Sequence, residues 1–196
     1  MSSPRGPYRK SERRRAEILQ AALDAYATSD AGGPTLKAIA QRLDITESAL
    51  LYHFGSRDDL FWAIIRARDE ADRFRPDDRM LDTEDFRRLG EMIVHNASTP
   101  GLVRLFLEQA VADASPSHPA HDYMRQRYAR FAAGLAAGLR DAKGLSDEQA
   151  DWFARILIAA ADGLQIQWLL DPGLDMRSDL NRLADLALTL AATATA

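Results

Sequence analysis

Few side chains in this sequence are spaced to do chemistry on a substrate. His118 and His121 stand three apart at the entrance to a helical stretch, with Asp122 beside them. That is half a metal site, or more plainly a capping and solvent-facing group. His95-Asn96 interrupts an apolar helical run, either as a satisfied core pair or as the polar groups of a pocket. No glycine-rich phosphate loop and no serine in a nucleophile-elbow context is present. The absence of cysteine removes disulfide frameworks and thiolate zinc sites. No catalytic residue, cofactor or metal site is expected. What remains is positive charge: the first 15 residues hold Arg5, Arg9, Lys10, Arg13, Arg14 and Arg15 against Glu12 alone. Such cations can meet phosphates, although a run of arginines alone also reads as a solvated face.

The net charge of −4 is unevenly spread. Up to Arg68 there are 11 Lys/Arg against 8 Asp/Glu; beyond it there are 14 against 21. A basic front on an acidic body suits a protein that presents one face to a polyanion. With 46% apolar and 28% charged residues in 196, the chain can build one or two soluble domains. No N-terminal apolar run and no stretch of about 18 apolar residues is seen, so a cytoplasmic protein with no membrane partner is expected. Alanine and leucine dominate and β-branched runs are absent, which predicts an all-α fold.

The helical punctuation is clear. Residues 1–8 are rich in Ser, Pro and Gly and are expected to be disordered, with Ser11 capping a first helix that runs to about Ser29. Its apolar stripe is Ile18, Leu19, Ala22, Leu23 and Tyr26. Asp30 to Pro34 stops it, and Thr35 caps the next helix, whose inner face is Ile39, Ala40 and Leu43. A tight break at Asp44 leads to Thr46, the cap of a short helix carrying Ala49, Leu50 and Phe54 inward. Two helices with so short a connector form a helix-turn-helix, whose second helix can enter a DNA major groove. Gly55-Ser56 opens a fourth helix to about Phe74, and Arg75 to Arg79 is a polar break. The expected division is therefore 1–55 for the arm and helix-turn-helix, 56–75 for a connecting helix, and 76–196 for a helical body. In the body, helices are expected over Thr83–Ala97, from Thr99-Pro100, over His121–Lys143, from the Ser146–Gln149 capping box to Leu170, and from Asp175 or Ser178 to about Leu190. That makes about nine in all. In the first two of these, Phe86, Leu89, Ile93 and Val94, then Leu102, Leu105, Phe106 and Ala110, are expected inward.

From Thr35 to Leu60, TLKAIAQRLDITESALLYHFGSRDDL resembles the DNA-binding domain of the TetR family of bacterial transcriptional regulators. Asp162 to Pro172, DGLQIQWLLDP, is similar to a stretch near the penultimate helix of those proteins, so the resemblance spans nearly the whole chain. It implies a homodimer that represses transcription from a palindromic operator and lets go of double-stranded DNA when a small molecule binds. By position, Thr35 and Lys37 match contacts from the first motif helix, and Thr46, Glu47, Ser48 and Ala49 match the start of the recognition helix. His53 matches a phosphate-contacting histidine, and Arg57 replaces the usual lysine at the start of the fourth helix. Arg13 of the basic arm and Tyr52 complete the expected DNA-binding set. Asp44 stands where the family often has glycine, so its backbone must be left-handed. Leu51 replaces a phosphate-bonding tyrosine, and Tyr52, one place on, is turned about 100° around the helix. Glu47 can accept from cytosine N4 or act as a helix-capping charge.

Bodies of this family enclose a cavity for an unknown small-molecule effector. Met92, His95, Phe106, Gln109, Tyr123, Arg127 and Trp168 are the expected lining. Ile156, Leu157, Ala160, Gly163, Leu164, Leu183 and Ala187 of the last two helices are expected to form the dimer surface. Two alternatives stay open: a DNA-bound regulator with no effector, acting through a protein partner or DNA architecture, and an enzymatic body with an incidental front domain.

Overall fold

The computed structural model describes residues 7–30, 32–71, 86–143 and 145–193, and among them there are nine α-helices and no strand. They are α1 (Pro7–Ala27), α2 (Leu36–Arg42), α3 (Glu47–Tyr52), α4 (Arg57–Ala71), α5 (Phe86–Ala97), α6 (Pro100–Ala112), α7 (His121–Lys143), α8 (Asp147–Leu170) and α9 (Met176–Thr193). The expected all-α class stands. The Arg75–Arg79 break and a start at Thr83 lie outside the described residues.

Most helix starts follow from side-chain oxygens that accept otherwise orphaned backbone N–H groups. Thr35 accepts from Ala38 and Thr46 from Ala49, each at 3.1 Å, and Ser56 accepts from Asp59 at 3.0 Å. Ser146 and Gln149 make the reciprocal capping box, and Asp175 accepts from Ser178 ahead of α9. The first helix differs from expectation. It begins at Pro7 and Ser11 lies inside it, because proline fits a first turn where its missing N–H has no partner to lose.

The helices fall into two compact units: α1 to α4 with Thr99 and the first half of α6, through Phe106, and α5 with the rest of α6 and α7 to α9. In the first, Ile18, Ala22 and Tyr26 of α1, Ile39 of α2, Leu50 of α3 and Leu60, Phe61 and Ile64 of α4 are buried. Tyr26 meets Phe61 edge to face, with centroids 6.2 Å apart. Gly101 lies where a Cβ would stand 2.7 Å from the Tyr26 carbonyl oxygen and closer still to Ser29 Oγ, so the opening of α6 packs here only without a side chain.

The core of the second unit runs through Leu89 and Ile93 of α5, Leu135 and Leu139 of α7, Phe153, Leu157 and Ile158 of α8, and Met176 and Leu180 of α9. Two expectations change. Val94 is 50% exposed rather than inward, because its neighbour Ile93 takes the core-facing direction. Leu157 is only 1% exposed and belongs to the body's own core, not to an outer surface. By length and composition α8 could cross a membrane, yet its Phe153–Leu157–Ala161 side is packed into this core.

Candidate nucleic-acid interface

The link between α2 and α3 is built on one left-handed residue. Asp44 has φ 52°, the single positive-φ residue other than glycine among the described residues. This is the conformation required of it where a glycine is usual, and a short polar side chain tolerates it best. The amides of Leu43 and Ile45 both reach the Ala40 carbonyl oxygen at 3.1 Å, closing the turn.

α3 is only six residues long and is pinned by a single fully buried side chain, Leu50. Everything at its start faces outward: Thr46, Glu47 and Ser48 are exposed and Ala49 is half-buried. Leu51 is half-buried, so it cannot stand in for a polar contact, while Tyr52 is 86% exposed with its ring edge-on to His53. The tyrosine hydroxyl thus lies one position along the helix from where the resemblance places it, exposed to solvent. Thr35 and Lys37 are exposed on α2, and Arg57 opens α4 with its guanidinium 4.9 Å over the Phe61 ring. All these residues belong to one unit and are carried by the starts of α2, α3 and α4 and by the end of α3.

The arginine run divides its labour. Arg13 is exposed and pairs with Glu17 at 3.0 Å. Arg14 also bonds Glu17 at 3.0 Å, and hydrogen bonds first from Arg14 and then from Arg13 hold the Glu17 carboxyl below its ordinary pKa. Arg14 further donates to the Leu43 carbonyl oxygen at 3.2 Å, and Arg15 to that of His53 at 2.6 Å. These contacts were not foreseen from sequence. The only signal was that the arginines lie one turn ahead of the apolar stripe of α1.

The body departs further from expectation. Met92 and Trp168 are partly buried against the core, and Tyr123 and Arg127 are half-buried. His95 is exposed, and Asn96 beside it donates to Gln165 Oε1 at 3.3 Å. Phe106 is buried in the first unit, not in the body. Gln109 is 7% exposed, and its Oε1 has no hydrogen-bond partner among the described residues. Sequence reasoning missed the pair in which Tyr128 donates to Asp162 Oδ2 at 2.7 Å. Burial above all raises the Asp162 pKa, against the opposing pull of the Tyr128 hydrogen bond and of Arg127; burial and Asp162 raise that of Tyr128. Asp162 is the only charge between Ile156 and Leu170, which was the available clue. His118 is neither half a metal site nor simply solvent-facing: its Nδ1 pairs with buried Asp113, and the His121 Nδ1 is 2.7 Å from the Asp113 carbonyl oxygen. No group of three His, Cys, Asp or Glu among the described residues could hold a metal.

On α8, Trp152, Ile156, Ile166 and Leu170 are exposed and recur on one helical face, with Gly163 among them and open space where its Cβ would be. Ala160 is half-buried, whereas Leu164 and Leu183 lean on the subunit core. The side chain of Ala187 is outside the described residues.

Residues 18–64 match the family model of bacterial regulatory proteins of the tetR family. No protein of curated function matches the chain. Among solved structures, a transcriptional regulator from Rhodococcus sp. Rha1 is 20% identical with a TM-score of 0.65, over 92% of this chain and 96% of that one. NalD, the secondary repressor of the MexAB-OprM multidrug efflux pump in Pseudomonas aeruginosa, is 18% identical with a TM-score of 0.52, over 92% and 96%. The multidrug binding protein EbrR, solved with imidazole, is 25% identical with a TM-score of 0.54, over 93% and 97%. The chain therefore shares its fold with these regulators over nearly its whole length, and its helix-turn-helix, residues 18–64, matches the DNA-binding domain of the tetR family of bacterial regulatory proteins.

Proposed function

We propose that this regulator is a repressor that holds a palindromic operator as a homodimer and releases it when a small molecule enters the body. The observation that carries the DNA half is the capped, outward-facing start of α3, pinned from below by Leu50 alone. Thr46, Glu47, Ser48 and Ala49 read base edges, and Arg13, Thr35, Lys37, Tyr52, His53 and Arg57 meet the backbone. The exposed α8 stripe favours two-fold pairing, with Ile156 and Gly163 at its centre; that spaces the recognition helices by about one turn of DNA, 34–36 Å. The likeness to NalD supports repression, and that to EbrR supports a ligand in the body. Met92, Gln109, Tyr123, Arg127 and Trp168 remain the effector-binding set, joined by Asn96, Tyr128 and Asp162. Release needs only differential affinity of the effector for the two helix spacings, a coupling of about 1–3 kcal/mol.

The test is binding to duplexes selected by the protein from a randomised pool, measured at several salt concentrations. A palindromic consensus and a steep salt dependence are expected. Replacing Lys37, His53 and Arg57 together by Ala should abolish the complex and leave the oligomeric state unchanged; undiminished binding refutes the assignment. Thermal-shift screening of small molecules then separates an effector-controlled regulator from one that works through a protein partner.

A further inference from the structure

Consecutive residues on a helix point about 100° apart, so Arg14 and Arg15 of α1 reach different neighbours. Arg14, braced by Glu17 at 3.0 Å, donates to the carbonyl oxygen of Leu43, the C-cap of α2, at 3.2 Å. Arg15 donates to the carbonyl oxygen of His53, the C-cap of α3, at 2.6 Å, with its guanidinium 4.3 Å over the Phe54 ring. The two helices so engaged have seven and six residues, too few to persist on their own backbone bonds. The last carbonyls of any helix lack an internal partner, and a cation there also complements the helix dipole.

We propose that Arg14 and Arg15 are a paired C-terminal clamp. One arginine ends each helix of the motif, and together they set the angle between α2 and α3 and the placement of His53 towards DNA. They are positioning residues and not phosphate contacts. The functional half of this inference rests on the DNA-binding reading above; the structural half does not. Arg15 is exposed, so the competing role for its charge is a phosphate contact, and the two roles make opposite predictions. Lysine keeps the charge and can meet a phosphate, but it lacks the planar fork that can cover Phe54 and donate to a carbonyl at once.

The full chain is therefore compared with Arg14→Lys, Arg15→Lys and Arg15→Ala variants by two measurements. In amide hydrogen exchange, both lysine variants should speed exchange in α2 and α3 about fivefold, the worth of one net hydrogen bond, with α7 and α8 unchanged. Unchanged exchange in α2 and α3 overturns the clamp whatever happens with DNA. In DNA binding, one probe is a duplex selected by the wild-type chain and the other is a random duplex of equal length. Arg15→Lys should weaken the selected duplex about fivefold and barely affect the random one, with the salt slope preserved in both Arg15 variants. Wild-type affinity in Arg15→Lys, with a slope shallower by about 0.9 in Arg15→Ala, makes Arg15 a phosphate contact and overturns the proposal. If the wild-type chain selects no duplex, the DNA-binding reading fails, and hydrogen exchange still decides the clamp.

Discussion

The two units of this chain treat polar groups in opposite ways. The buried polar residues among those described are Gln109, Asp113 and Gln165, and all three lie in the body. In the first unit, several polar side chains finish helix ends, as Thr35, Thr46, Arg14 and Arg15 do, and others face outward from the start of α3. The contrast fits the partner proposed for each unit. A DNA duplex is a regular polyanion met from outside, so its readers must be exposed and their backbone rigidly terminated. Under the function proposed here, a small effector is enclosed, so its readers are turned inward, where a polar group is matched or meets the ligand.

Substitutions can break or sharpen that contrast. The largest effect is expected from Leu157→Ala, which opens a cavity in the body core and should cost about 2–5 kcal/mol in denaturant unfolding. Its neighbour Ile156 is 38% exposed; Ile156→Ser should alter subunit folding by no more than about 0.5 kcal/mol while weakening self-association in ultracentrifugation. Equal effects of the two on folding would mean that both residues are core. Gly101→Ala should destabilise the first unit by about 1–3 kcal/mol through overpacking against Ser29 and the Tyr26 carbonyl. Thr46→Ala removes the cap of α3 and should cost about 1 kcal/mol, with a larger loss of sequence-specific than of non-specific DNA binding; an equal loss of both would show that α3 reads nothing.

The smallest effect concerns pH. Burial raises the folded pKa of Asp162 above its ordinary value of 3.8. Such a group adds stability at low pH, and that contribution is lost as pH rises through the raised value. Asp162→Asn keeps an acceptor for Tyr128 without the charge. Its melting temperature relative to wild type should therefore climb as pH is raised from about 4 through the raised folded value. A pH-independent difference would show that the carboxylate is not desolvated.

Much of the first unit could be read from sequence because its signals are local. Thr35, Thr46, Ser56 and the left-handed Asp44 each act within four residues of themselves, and each behaves as expected. Ser11 misled because a proline four residues earlier was the better start. The arginine clamp was illegible: Arg14 meets Leu43 29 residues away and Arg15 meets His53 38 residues away, and a run of cations looks the same whether it caps a carbonyl or faces water. In the body the distances are similar or longer, 34 residues from Tyr128 to Asp162 and 69 from Asn96 to Gln165.

Residue order alone determined the helices, every foreseen cap but Ser11, the break at Asp44 and the outward start of α3, since backbone hydrogen bonding and helical periodicity are settled within a turn or two. Tertiary structure decided which cations face solvent and which end a helix, that Leu157 is core and Ile156 is surface, that His118 pairs with buried Asp113, and that Asp162 pairs with Tyr128. Those outcomes depend on which helices come to lie side by side, and periodicity within a single helix carries no record of its neighbour.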